Sequence, residues 1–136
     1  MKVFRIALIG GIVLIADQVS KWLAGQAGLV QLNAGVSLGL LSQSNVVGTT
    51  LILLAISAAL FIGKQHWAQL PVATGLFWGG AASNVLDRLL FGAVRDWMPV
   101  PAAALTNNLA DWAIALGALL FVWRVLFTQK EARAKA

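Results

Sequence analysis

The 136-residue chain has no cysteine and a single histidine, His66. The first absence excludes disulfides, thiolate metal sites and a cysteine nucleophile, and the second leaves nothing from which to build a His-rich metal centre. No metal or organic cofactor is therefore expected. Charge is scarce as well. Charged residues make up 11% of the sequence and apolar ones 60%, against roughly 25% and 45–50% in a soluble domain. A single core in so short a chain cannot hide that much apolar surface from water, so the composition calls for a bilayer as solvent. The net charge of +5 sits largely at the ends, on Lys2 and Arg5 and on Lys130, Arg133 and Lys135. That is the flanking pattern of membrane helices, not the basic stripe of a nucleic-acid binder, so lipid is expected as a partner and nucleic acid is not.

Four apolar segments fill most of the sequence, at about 3–24, 46–63, 70–91 and 108–127. At a rise of 1.5 Å per residue each reaches about 27–33 Å, close to the hydrocarbon thickness. None shows the period-two alternation of a strand. The expected fold is an all-α integral membrane protein, one domain over 1–136, built as a bundle of four transmembrane helices. A cleavable signal peptide would also begin with Lys2 and Arg5, but the first segment is long and carries Asp17 and Lys21, which the apolar region of a signal peptide avoids. Lys64 lies between the second and third segments. With both termini cytoplasmic, it joins the terminal basic residues on the inner side. Residues 64–69, His66 among them, then form a short inner link, while 25–45 and 92–107 connect the helices outside. The outer stretches are richer in Gly, Asn, Ser and Pro and are expected to be irregular. Gly75, Gly79 and Ser83 recur every four residues, a stripe that lets another helix approach closely. Most tryptophans lie near segment ends, as in an interfacial belt. The polar tail QKEARAKA is expected to fray.

Only five acidic residues are present. Glu131 is in the tail, and Asp17, Asp87, Asp96 and Asp111 all fall at the outer face of this topology. An ionisable group at membrane depth costs several kcal/mol, so each needs a partner or a task. Asp17 and Lys21, four apart, suit an ion pair. Asn84, Asp87 and Arg88 share one helix face and suit an interhelical clamp. Asp111 has two readings, as a helix cap or as a catalytic acid, and Asp96 has two, as a solvated loop residue or as a catalytic acid. Asn108 lies three residues before Asp111, and Asn33 is in the first outer connection.

These residues also fall into motifs. Asp17-Gln18-Val19-Ser20-Lys21, Asn33-Ala34-Gly35, Ser83-Asn84-Val85-Leu86-Asp87-Arg88, Gly92-Ala93-Val94-Arg95-Asp96-Trp97 and Asn108-Leu109-Ala110-Asp111 appear in that order along nearly the whole chain. In composition and order they resemble the five motifs of the lipoprotein signal peptidase (signal peptidase II) family. The resemblance implies an intramembrane aspartic endopeptidase that cuts lipid-modified prolipoproteins just before the diacylglyceryl-cysteine. It implies Asp96 and Asp111 as the catalytic pair. It also implies supporting or substrate-binding roles for Asp17, Lys21, Asn33, Gly35, Asn84, Asp87, Arg88, Asn108 and Ala110. A bacterial inner-membrane location, a site at the outer face under a small, partly β-structured cradle, and a monomer complete the expectation. The sequence departs from the family pattern at Ser83, where Gly is usual, at Leu38, where Phe is usual, and at Arg95, where Val is usual. Trp97 and Asn107 stand in place of phenylalanines, and only fourteen residues separate Asp96 from Asp111. Arg95, next to Asp96, is expected to lower that carboxyl's pKa.

Two other readings fit parts of the pattern. A small proton-coupled transporter also uses intramembrane Asp, Asn and Arg, but its polar groups would run through both halves of the membrane, and here the inner halves are apolar. A catalytically inactive relative that binds lipoproteins would keep the frame and lose turnover.

Overall fold

The structure is a computed structural model that describes residues 1–33, 67, 69–100 and 105–134, with side chains as far as Arg124. Among the described residues, three helices and four short strands follow one another in the order α1 (Lys2–Gln26), β1 (Gln31–Asn33), α2 (Pro71–Phe91), β2 (Val94–Asp96), β3 (Met98–Val100), β4 (Leu105–Asn107) and α3 (Leu109–Ala134). The segment expected at 46–63, Lys64, His66 and Leu38 lie outside the described residues.

Three of the helix boundaries have a clear local cause. Pro71 opens α2, where its missing N–H and fixed φ cost nothing. Gly92 closes it at φ 71°, a left-handed conformation that a side chain would resist, and there the chain turns into β2. Asn108 opens α3, its Oδ1 accepting a hydrogen bond from the Asp111 N–H at 2.9 Å. The cap of this helix is therefore Asn108, and Asp111 stands three residues inside it. The tail expected to fray is helical to Ala134, in keeping with the strong helix propensity of its Gln, Lys, Glu, Ala and Arg residues.

The central helix is α2, which packs on α1 along one side and on α3 along the other. At Gly79 a Cβ would stand 2.5 Å from the Gly10 carbonyl oxygen. Only glycine permits this backbone approach, and the small-residue stripe read from the sequence is thus the α1 contact face. In the first turn of α2, the Thr74 hydroxyl donates to the Trp67 carbonyl at 2.6 Å, and the Trp67 ring stacks on Phe121 with centroids 4.2 Å apart. This surface is the reverse of a soluble protein's. Ile15, Leu89 and Leu119 are 63%, 75% and 63% exposed, while Asp17, Lys21 and Asp87 are fully buried. Among the described residues α1 is the one helix long and apolar enough to cross a membrane by length and composition.

The strands cover one end of the bundle as two small antiparallel sheets. In the first, β1 pairs with β2, Gln31 opposite Asp96 and Asn33 opposite Val94. In the second, β3 pairs with β4, Met98 opposite Asn107. The Trp97 N–H donates to the Asn107 carbonyl at 3.0 Å, extending that ladder. The Thr106 hydroxyl donates to Gln31 Oε1 at 3.1 Å and ties the two sheets together.

Candidate active site

Beneath the strands, α1 and α2 enclose a network centred on the Lys21 ammonium. Its Nζ lies 2.6 Å from Asp17 Oδ2 and 3.0 Å from Asp87 Oδ2, and it donates to Asn84 Oδ1 at 3.0 Å. Three partners match the three protons of an ammonium. The second oxygen of Asp17 accepts from the Ala110 backbone N–H at 2.9 Å, which joins α1 to the first turn of α3. The Ser83 hydroxyl donates to Asp17 Oδ2 at 2.7 Å. Gln18 Nε2 lies 2.9 Å from both Ser83 Oγ and Asp87 Oδ1, to which it donates. A buried charge is tolerable only when paired and hydrogen-bonded, and each of these groups is.

The other two aspartates are held differently. Asp96 ends β2, buried, where it accepts Asn33 Nδ2–H on Oδ2 at 2.9 Å and Asn108 Nδ2–H on Oδ1 at 2.5 Å. Asn33 approaches diagonally: it faces Val94 across the sheet, and side chains two apart share a strand face. Asp111 accepts Asn84 Nδ2–H on Oδ1 at 2.7 Å. The Asn108 side chain thus touches both residues, its N–H donating to the Asp96 carboxylate and its oxygen accepting from the Asp111 backbone N–H. Arg88 donates to the Asn84 carbonyl at 3.2 Å, and its charge is within electrostatic range of Asp111 and Asp96. Burial pushes the Asp96 carboxyl above its ordinary value, and the Asn33 and Asn108 amides, which favour its ionised form, oppose that rise.

Asp17, Lys21, Asn33, Asn84, Asp87, Arg88, Asp96, Asn108, Ala110 and Asp111 therefore gather at one end of the bundle, while Gly35 lies outside the described residues. Two expectations are corrected. Asp96 is a buried strand residue, not a solvated loop residue. Arg95 does not lower the Asp96 carboxyl, because consecutive strand residues point to opposite faces and its guanidinium goes to Asp87 at 2.7 Å. Two residues join the site that spacing does not assign to it: Gln18, and Ser83, whose four-residue spacing marks it for packing. Their places beside Asp17, and one helical turn apart from Asp87, were the available signal.

Helices with apolar exteriors, with acids gathered at one end among amides and cations, define a class: helical membrane proteins with a buried polar cluster. Comparison narrows the class. The family model "Signal peptidase (SPase) II" matches residues 9–127. A lipoprotein signal peptidase from Nitrobacter hamburgensis is 34% identical, with 89% of this chain and 91% of the relative aligned. One from Methylorubrum extorquens is 36% identical over 86% of this chain and 83% of the relative. A bacterial membrane enzyme solved by the in meso method at 2.3 Å superposes with a TM-score of 0.71 at 25% identity, covering 91% of this chain and 88% of that one. The chain belongs to the signal peptidase II family.

Proposed function

We propose that Asp96 and Asp111 are the catalytic pair with which this chain, an aspartic endopeptidase, removes the signal peptide from prolipoproteins. The observation that carries the assignment is the Asn108 side chain, which binds one aspartate with its N–H and the main chain of the other with its oxygen. Two neighbouring carboxyls in a dry site cannot both ionise cheaply, so the pair shares a proton. The ionised member takes a proton from a water. The protonated member polarises the scissile carbonyl and then passes its proton to the leaving amine. Asn84 and Asn108 orient the acids, and the nearby Arg88 charge steadies the negative charge that develops between them.

The substrate is a prolipoprotein with a diacylglyceryl-cysteine, cut just before that residue. The whole of 1–136 acts as one domain of four membrane-spanning helices in the bacterial inner membrane. Both termini are cytoplasmic, the strands form a cradle at the outer face, and the chain works as a monomer without metal or cofactor. Cleavage of a purified diacylglyceryl-modified prolipoprotein tests the reading: wild type should cut it, and Asp96→Asn and Asp111→Asn should not. Wild-type rates in both variants would end the assignment. Because the sequence has no cysteine, single cysteines report the topology directly. A membrane-impermeant maleimide should label Gln26→Cys in intact spheroplasts, and Gln65→Cys only after permeabilisation.

A further inference from the structure

We propose that Arg95 is a positioning residue for Asp96, a clamp that fixes β2 onto α1 and α2 and so sets where the catalytic carboxylate stands. The inference rests on the catalytic reading of Asp96. Strand β2 is three residues long and pairs with a strand of three, a ladder too short to hold an acid rigidly by itself. The residue before Asp96 supplies the missing anchor. Arg95 Nη2 donates to Asp87 Oδ1 and to Gln18 Oε1, each at 2.7 Å. The Arg95 backbone N–H donates to Asp87 Oδ2 at 2.9 Å. One carboxylate thus grips Arg95 by main chain and side chain together, and the Phe91 ring lies beneath the guanidinium at 4.2 Å.

The electrostatics point the same way. Lys21 and Arg95 supply two positive charges against those of Asp17 and Asp87, so the buried cluster is neutral. Without the guanidinium, two acids would share one ammonium, and Asp87 would hold β2 through the Arg95 backbone N–H alone. Since Arg95 and Asp96 face opposite sides of the strand, the clamp bears on the helices while leaving the catalytic face clear.

Steady-state cleavage of a diacylglyceryl-modified prolipoprotein by the full chain in nanodiscs tests this, with Asp96→Asn run alongside. In Arg95→Gln, kcat should fall about 10- to 100-fold, the scale of a small misplacement of a reacting group, with KM changed less than about twofold. Arg95→Lys, which keeps the charge and one of the two contacts, should recover much of the loss. Rates are normalised to the folded fraction from size exclusion, so a merely structural role would leave normalised kcat unchanged and overturn the proposal. If Arg95→Gln does not fold, Gln18→Glu keeps an acceptor for the guanidinium and Gln18→Leu removes it, both losing the Gln18 bonds to Ser83 and Asp87, so kcat is compared between the two. A lower kcat in Gln18→Leu than in Gln18→Glu supports the clamp, and equal values overturn it. A wild-type rate in Asp96→Asn would overturn the catalytic reading and the clamp with it. A wild-type rate in Arg95→Gln beside an inactive Asp96→Asn would overturn the clamp alone.

Discussion

Two pairs of aspartates lie at the same end of the bundle and are treated in opposite ways. Asp17 and Asp87 face cations: Lys21 is in ion-pair contact with both, and Arg95 is in contact with Asp87. Asp96 and Asp111 face neutral amides, from Asn33 and Asn108 in the first case and Asn84 in the second. Lys21 and Arg95 thus grip the first pair directly, while Arg88 and Lys21 act on Asp96 through space. On the proposed assignment the difference is one of purpose. A carboxylate locked to a cation stabilises the frame and has little freedom to take up a proton. A carboxylate held by amides is oriented just as well, yet can gain or lose a proton at modest cost, which is what acid–base chemistry asks of it.

The largest effect should come from swapping amide for acid in the second pair. Asp96→Asn and Asp111→Asn should each lower the cleavage rate about 10³-fold or more, while the unfolding midpoint in detergent stays at the wild-type value or rises, because a buried acid has been made neutral. The first pair should respond the other way. Lys21→Met leaves Asp17 and Asp87 buried without their shared cation, at a cost of about 3–5 kcal/mol in stability. A stable Lys21→Met protein would show that the two pairs are not distinct in kind.

The frame was readable in the sequence because apolar runs and a four-residue stripe of small side chains survive any detail of packing. Helical spacing pairs Asp17 with Lys21 and Asn84 with Asp87, but the Lys21 bonds to Asn84 and Asp87 cross between helices and were not in the spacing. What the sequence could not show depends on rotation and register. Gln18 bonds to Ser83 and Asp87 only because α1 is turned so that Gly10 meets Gly79. Strands of three residues are too short for a period-two signal, so the pairing that brings Asn33 to Asp96 and sends Arg95 away from it had no trace in composition. Nor could spacing show that the cap is Asn108 and not the expected Asp111, since each stands near the start of the same helix.

Asn84 sharpens the comparison because it belongs to both pairs. Its oxygen accepts from Lys21 and its N–H donates to Asp111. Asn84→Leu should therefore lower both readouts moderately. Stability should drop by about 1–3 kcal/mol for the buried ammonium left with one partner fewer, and kcat by about tenfold as Asp111 loses its orienting amide. A loss in stability with kcat unchanged would place Asn84 wholly in the frame.

The smallest effect concerns pH and has a definite sign. Burial holds the Asp96 carboxyl above its ordinary value, and the Asn33 N–H, given to the ionised form at 2.9 Å, resists that rise. Asn33→Ala removes the resistance, so the carboxyl should move further up. A pair that works with one shared proton stops working once that proton is lost, and the alkaline limb of kcat/KM should shift to higher pH in the variant. Stability should follow the same group. A carboxyl raised on folding makes the protein less stable as pH climbs from the unfolded to the folded pKa, and the variant should extend that decline to higher pH. Parallel kcat/KM and unfolding profiles check both. A limb that moves to lower pH would mean that Asn33 acts on the protonated form of Asp96, and that the amide-held pair differs from the cation-held pair in more than the neutrality of its partners.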